Sequence, residues 1–304
     1  MRAIVTAHPG SDDEVEMVDL PDPQPAAGQI RIRMAGAAVN AADLHIIDAS
    51  RGAAGGDGPT PRGGLGLDVA GIVDMVGPGV DDLALGTPVA ALHFPHAPHA
   101  TAGTAAEYVI VPAADAAPVP DGVELLDAAT VPLNSLTAAQ LLALLGPSRA
   151  RRLLVTGAAG GVGGYAVALA ARAGWKVTAL ARATDEDFLT RAGAAEAITT
   201  LDRAIGFDAV LDTALLNEAA LRPVRDHGAY VGVFPGLEPA SVRGITVTSA
   251  VVVPDGTLLG EMLALTARGT LEPRRAGTVP LDRAAYAYRA FRAGGHRGRW
   301  VLTG

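Results

Sequence analysis

Apolar and polar residues alternate through the first third of the chain and then change rhythm. Gln29-Ile30-Arg31-Ile32-Arg33-Met34 has the period of two expected of a strand with one buried face. The same texture predicts short strands over 2–7, 14–20, 66–76, 87–93 and 104–112. Turns divide them, among them Pro21-Asp22-Pro23, Gly77-Pro78-Gly79 and the Gly/Pro-rich segment 50–65. Residues 1 to about 120 therefore read as a small antiparallel barrel. After Pro120-Asp121-Gly122, apolar runs alternate with helical segments: Leu153-Leu154-Val155, Lys176 to Leu180, Ala209-Val210-Leu211, Tyr230 to Val233 and Ile245 to Thr248. Such strands, separated by helices, predict a parallel sheet covered on both faces. From about residue 270 the pattern reads as strand, helix and strand, ending Arg299-Trp300-Val301-Leu302, and it can complete either domain.

One turn in the second region carries chemistry. Val155-Thr156-Gly157-Ala158-Ala159-Gly160-Gly161-Val162-Gly163-Gly164 follows an apolar strand and precedes the helical run Tyr165 to Ala173, with Gly174 placed to close it. Glycines permit a tight turn and a close approach of backbone to a diphosphate, whose charge suits free N–H groups at a helix start. The spacing is G-x-x-G-x-x-G, so Gly157, Ala159, Gly160, Gly161 and Val162 are candidate cofactor contacts on the strength of their strand–turn–helix setting. The next strand ends Leu180-Ala181-Arg182. An arginine there suits the 2′-phosphate of NADP, whereas an acid would suit NAD, so Arg182 points to NADPH; the alternative is a solvated strand-end arginine. Thr184 with Asp187 reads as a helix cap.

Composition removes other classes. The 304 residues are 49% hydrophobic and 18% charged, too apolar for a disordered chain and long enough for about two domains. Lys plus Arg number 24 against 32 Asp plus Glu, a formal charge of −8 with the basic residues dispersed, so no nucleic-acid partner is expected. Cysteine is absent, which excludes disulfides, thiolate zinc sites, iron–sulfur clusters and cysteine nucleophiles. The N-terminal segment turns acidic by Asp12-Asp13-Glu14, and no apolar run approaches the roughly 20 residues that span a bilayer. A cytoplasmic protein without a membrane partner is the expectation. His93, His96 and His99 form H-x-x-H-x-x-H, but Pro95 and Pro98 interrupt any helix that would align the rings, leaving a metal triad, a pocket lip or a solvated loop open.

Val39-Asn40-Ala41-Ala42-Asp43, Gly66-Leu67-Asp68-Val69-Ala70-Gly71, Ala105-Ala106-Glu107-Tyr108-Val109, Leu136-Thr137-Ala138, the glycine turn, Phe207 to Asp212 and Gly298 to Leu302 follow a characteristic order. Together they resemble the medium-chain dehydrogenase/reductase superfamily, in particular its zinc-independent quinone oxidoreductase branch. The resemblance implies a GroES-like β-barrel catalytic domain (1–120 and 273–304) and a Rossmann doubly wound parallel sheet (121–272), with a homodimer formed through the Rossmann sheet. Zinc-dependent relatives place a cysteine where Asn40 stands, a histidine at Leu67 and another cysteine near Leu133 or Asn134. Zinc-alkoxide chemistry is thus not expected here. The resemblance sets Asn40 beside the nicotinamide, as a cofactor or substrate contact or else a structural amide. It also puts Thr137 near the cofactor, Phe234 and Val251-Val252 near the nicotinamide and Arg299 near the pyrophosphate. His45 lies where zinc-dependent relatives often carry a histidine, in a structural or proton-relay role.

The activity implied is NADPH-dependent hydride transfer to a quinone or an α,β-unsaturated carbonyl, the substrate itself supplying the electron sink. Charge on the carbonyl oxygen would be met by the Asn40 amide, a ribose hydroxyl or water. Two other readings stand beside it: a non-redox cyclase or isomerase on this scaffold, and a nucleotide-sensing binding protein.

Overall fold

The computed structural model describes residues 1–7, 13–52, 63–94 and 102–304. In chain order its strands and helices begin with β1 (Arg2–Thr6), β2 (Val15–Asp19), β3 (Gln29–Ala38), α1 (Ala41–Gly52), β4 (Asp68–Val76), β5 (Pro88–Leu92), β6 (Tyr108–Pro112) and β7 (Ala116–Pro118). Then come α2 (Leu125–Ala128), α3 (Pro132–Leu144), β8 (Arg152–Thr156), α4 (Gly161–Arg172), β9 (Lys176–Leu180), α5 (Glu186–Arg191), β10 (Glu196–Ile198) and β11 (Phe207–Asp212). The chain closes with α6 (Glu218–Leu221), β12 (Val224–Gly232), β13 (Thr246–Ser249), α7 (Gly256–Ala267), β14 (Arg275–Pro280), α8 (Ala284–Ala293) and β15 (Arg299–Thr303).

These elements gather into two compact units. The first comprises Met1–Leu133, Pro254–Ala267 and Pro273–Gly304, the second Asn134–Val253 and Arg268–Glu272. Relative to boundaries at 121 and 273, residues 121–133 and 254–267 fall in the first unit. Two contacts explain this. The Leu133 N–H donates to Asp68 on β4 at 2.6 Å. Gly256, opening α7, lies so close to the Ala114 and Ala116 carbonyls that a Cβ there would sit 2.4 and 2.5 Å from them.

In the first unit the sheet order is β14-β15-β3-β4-β5-β7, with β6 also on β3 and β1-β2 as a separate antiparallel pair. The alternation read along Gln29–Met34 is realised: Ile30, Ile32 and Met34 are buried, while Arg31 and Arg33 point away from the core. Arg31 forms a fork on Asp74 of the neighbouring strand, at 3.0 and 2.9 Å, and lies 4.6 Å from the centre of the Tyr108 ring. Strand β6 begins at Tyr108, so the predicted run 104–112 is shortened at its start.

The second unit is a six-stranded sheet, β10-β9-β8-β11-β12-β13, parallel throughout. Its inner strands are continuous apolar runs because both faces are covered: Leu153, Leu154 and Val155 are fully buried, as are Ala209, Val210 and Leu211. Order reverses between β8 and β11, which sit side by side although β9 and β10 intervene in sequence. Helix α4 starts at Gly161, four residues before the predicted run, and Gly174, at φ +85°, closes it. Helix α5 starts behind Asp185 without a side-chain cap, and Thr184 lies instead in a 3₁₀ turn, Ala183–Asp185. The expected Thr184–Asp187 cap is thus replaced by that turn.

Candidate functional site

The carboxyl ends of the parallel strands form one edge. Thr156, Asp212, Gly232 and Ser249 are register partners across β8, β11, β12 and β13. Segments leaving this edge carry most of the residues singled out from sequence: Gly157 to Val162 after β8, Arg182 after β9, Phe234 after β12 and Val251 after β13. In open parallel sheets a ligand binds beyond the carboxyl ends where the strand order reverses, which here is between β8 and β11.

The turn after β8 has the geometry its glycines imply. Gly157 adopts φ +56°, and a Cβ on Gly163 would stand 2.2 Å from the Gly157 carbonyl oxygen, so both positions require glycine. Ala158 N–H donates to Leu180 O at 3.0 Å and Gly160 N–H to Gly157 O at 2.8 Å, pinning the loop to the sheet and to itself. Gly160 is the N-cap of α4 and no side chain caps the helix. The first turn therefore presents N–H groups and the positive end of a twelve-residue helix dipole without a capping side chain. A diphosphate fits this cradle, and a side chain at 157 or 163 would not.

Arg182 is exposed at the end of β9. Phe234 and Val251 are 37% and 65% exposed, whereas Thr137 is buried on α3. One turn beyond Thr137, Gln140 holds the segment after β13 through its side chain: Nε2 donates to Val253 O at 2.8 Å and Oε1 accepts the Val253 N–H at 3.0 Å.

Asn40 and Arg299 belong to the first unit. Asn40 is the residue before α1 and is 1% exposed. Its backbone N–H donates to Asp43 Oδ2 at 2.7 Å, half of a capping box. The side chain is turned away from the helix: Nδ2 donates to Asp68 Oδ2 at 2.8 Å and to Ala38 O at 3.2 Å. Both amide hydrogens are thus spent within the protein, and the donor role toward a substrate oxygen expected of Asn40 is not available in this arrangement. Asp68, fully buried at the start of β4, also accepts the Leu133 N–H, so one carboxylate joins the residue before α1 to the first turn of α3. Asp43 Oδ1 accepts the Gly66 N–H at 2.8 Å.

Burial pushes the Asp43 carboxyl up to about 6 and that of Asp68 up to about 7, against the pull of their N–H donors and of the Arg299 charge. Arg299 thus stands within electrostatic reach of two buried acids. His45 is exposed on α1, its Nδ1 2.9 Å from Ala41 O. The His93 backbone N–H donates to Leu67 O at 2.8 Å, while His96 and His99 lie outside the described residues. The feature that sequence reasoning missed is Asp212, a buried acid at the strand-reversal point; its signal was an Asp closing the apolar strand Phe207 to Asp212.

A GroES-like barrel joined in one chain to a Rossmann sheet with a cradle for a diphosphate defines a dehydrogenase type of architecture. The chain matches the alcohol dehydrogenase GroES-like domain over residues 26–121 and the zinc-binding dehydrogenase domain over residues 182–302. It belongs to the medium-chain dehydrogenase/reductase superfamily. Polyketide synthase GfsB of Streptomyces halstedii is 32% identical over 91% of this chain, which spans 5% of that protein. The chloroplastic quinone-oxidoreductase homolog of Spinacia oleracea is 32% identical over 65% of this chain and 60% of its own length. The chain thus spans less than two thirds of these curated relatives. The quinone oxidoreductase of Coxiella burnetii shares the fold, with a TM-score of 0.86 at 23% identity over 100% of this chain and 99% of the other.

Proposed function

We propose that this protein is an NADPH-dependent reductase that delivers hydride to a quinone or an α,β-unsaturated carbonyl without zinc. The observation that carries the reading is the turn at 157–163, whose positive φ and absent side chains leave room for a diphosphate at an uncapped helix start. Reduced nicotinamide, when bound, supplies the hydride, as it does across the superfamily. The chain holds the dinucleotide by its diphosphate, reads the ribose phosphate with the exposed Arg182 guanidinium, and flanks the reacting end with Phe234 and Val251. Their apolar side chains exclude water from it.

Zinc does not fit the positions where dependent relatives hold it. Asn40 offers amide hydrogens, already committed to Asp68 and Ala38, in place of a thiolate. Leu67 and Leu133 offer no donor atom, Asn134 offers an amide in place of a thiolate, and the chain has no cysteine. The carbonyl substrate accepts the hydride at carbon and the electron pair at oxygen, so the chain needs to orient it more than to activate it. The likeness to quinone oxidoreductases supports a quinone as substrate. The chain acts as a homodimer in this reading, joined through the Rossmann sheet.

Following loss of NADPH absorbance against a panel of enones and quinones tests the proposal. Turnover with at least one class is expected, with Arg182→Ala lowering the preference for NADPH over NADH about tenfold or more, as loss of a charge-assisted bond of roughly 1.5–3 kcal/mol requires. No oxidation across the panel, or unchanged discrimination in Arg182→Ala, would refute the corresponding part.

A further inference from the structure

Asp212 ends β11 at the point where the strand order reverses, is fully buried, and has no cation bonded to it among the described residues. Its charge is met by neutral donors from three directions. Thr156, at the end of β8, donates its hydroxyl to Oδ1. The Asn217 N–H donates to Oδ2 at 2.8 Å and the Tyr230 hydroxyl to the same oxygen at 3.0 Å. The Ala214 N–H points to Thr156 Oγ1 at 3.2 Å and to Oδ1 at 3.3 Å. A buried carboxylate so fully supplied fixes whatever carries its donors.

What it fixes is the segment 213–217, which is not a relaxed loop. Leu215 and Asn217 both take positive φ, +54° and +51°, a region that leucine in particular avoids. The segment lies against the glycine turn. A Cβ on Gly157 would stand 3.0 Å from Thr213 Oγ1 and 3.1 Å from the Ala214 Cβ, and Thr213 Oγ1 donates to Thr156 O at 2.7 Å.

We propose that Asp212 is a positioning residue for the dinucleotide: its hydrogen bonds hold 213–217 as a fixed wall beside the glycine turn, and the diphosphate is gripped between that wall and the start of α4. This rests on the reading of the turn as a dinucleotide site. Because the diphosphate is common to NADPH and NADH, the wall serves both equally, which separates it from Arg182.

The test is calorimetric titration of NADPH and of NADH into the wild-type protein, Thr156→Val, Thr156→Ser and Tyr230→Phe. Valine keeps the shape of threonine but removes the hydroxyl that serves Asp212 and Ala214; serine restores it. Thr156→Val is expected to weaken both dinucleotides about tenfold with their ratio unchanged, Tyr230→Phe about threefold, and Thr156→Ser less than twofold. Amide exchange at 214 and 217 in the ligand-free protein is expected to quicken in Thr156→Val and not in Thr156→Ser. Should Thr156→Val fail to fold, Tyr230→Phe decides alone. Wild-type binding matched within a factor of 1.5 by both Thr156→Val and Tyr230→Phe overturns the inference while leaving the dinucleotide site standing; wild-type protein that binds neither dinucleotide overturns both.

Discussion

Asp43 and Asp68 lie wholly buried with Arg299 as the cation acting on both, and this imbalance sets how the first unit responds to pH. Burial holds their carboxyls at about 6 and about 7 in the fold, against an ordinary aspartate value of about 3.9 once the chain unfolds. Between pH 4 and 7 the folded state therefore keeps protons that the unfolded chain has released, so each step up in pH favours unfolding. Stability carried by these two groups is full below about pH 4, falls through pH 6–7 and is level above. Glu107, held below the usual carboxylate range by Arg2, acts in the opposite sense but only at pH values below that window. Thermal midpoints measured from pH 5 to pH 8 should fall; a midpoint that rises with pH over this interval contradicts the assignment. The same corner of the molecule marks a limit of legibility. Asn40 was readable as a residue of interest, but the direction of its amide was not, because it is decided by Asp68, 28 positions away in sequence and adjacent only once β3 and β4 pair.

Strand β13 is the outer strand of the parallel sheet, pairing only with β12 among the described residues, and its sequence Thr246-Val247-Thr248-Ser249 contains no charge and no proline to blunt the edge. Val251 and Val253, just beyond it, are 65% and 59% exposed. A second copy of the chain meeting this edge would continue the sheet and cover Val253. Sedimentation should then report about twice 30.7 kDa at micromolar concentration, and Val253→Asp should shift the species to the single-chain mass; a wild-type protein sedimenting as a monomer contradicts the pairing. Most elements were legible from hydrophobic period, and those missed have physical reasons. Strands β7 and β10 are three residues each, too short to display a period of two, and β10 is largely exposed. Helix α1 carries a weak apolar stripe, and its clearest mark was local: Asn40 followed three residues later by Asp43, a capping pair.

At the scale of the molecule, the order of elements and the glycine turn were readable, while the compact units were readable only in outline. Residues 121–133 and 254–267 join the first unit through contacts that no local pattern announces, the Asp68–Leu133 bond and the close seat of Gly256. The second unit shows why scattered candidates converge. Parallel register aligns the ends of β8, β11, β12 and β13, so Gly157, Thr213, Phe234 and Val251 leave the sheet along one edge although 94 positions separate the first from the last. The proposed activity depends on that edge holding a dinucleotide. Amide hydrogen exchange measured with and without saturating NADPH tests it most directly. Protection is expected at 157–163, 181–183, 213–217 and 233–235; protection confined to other segments, or none at all, would contradict it.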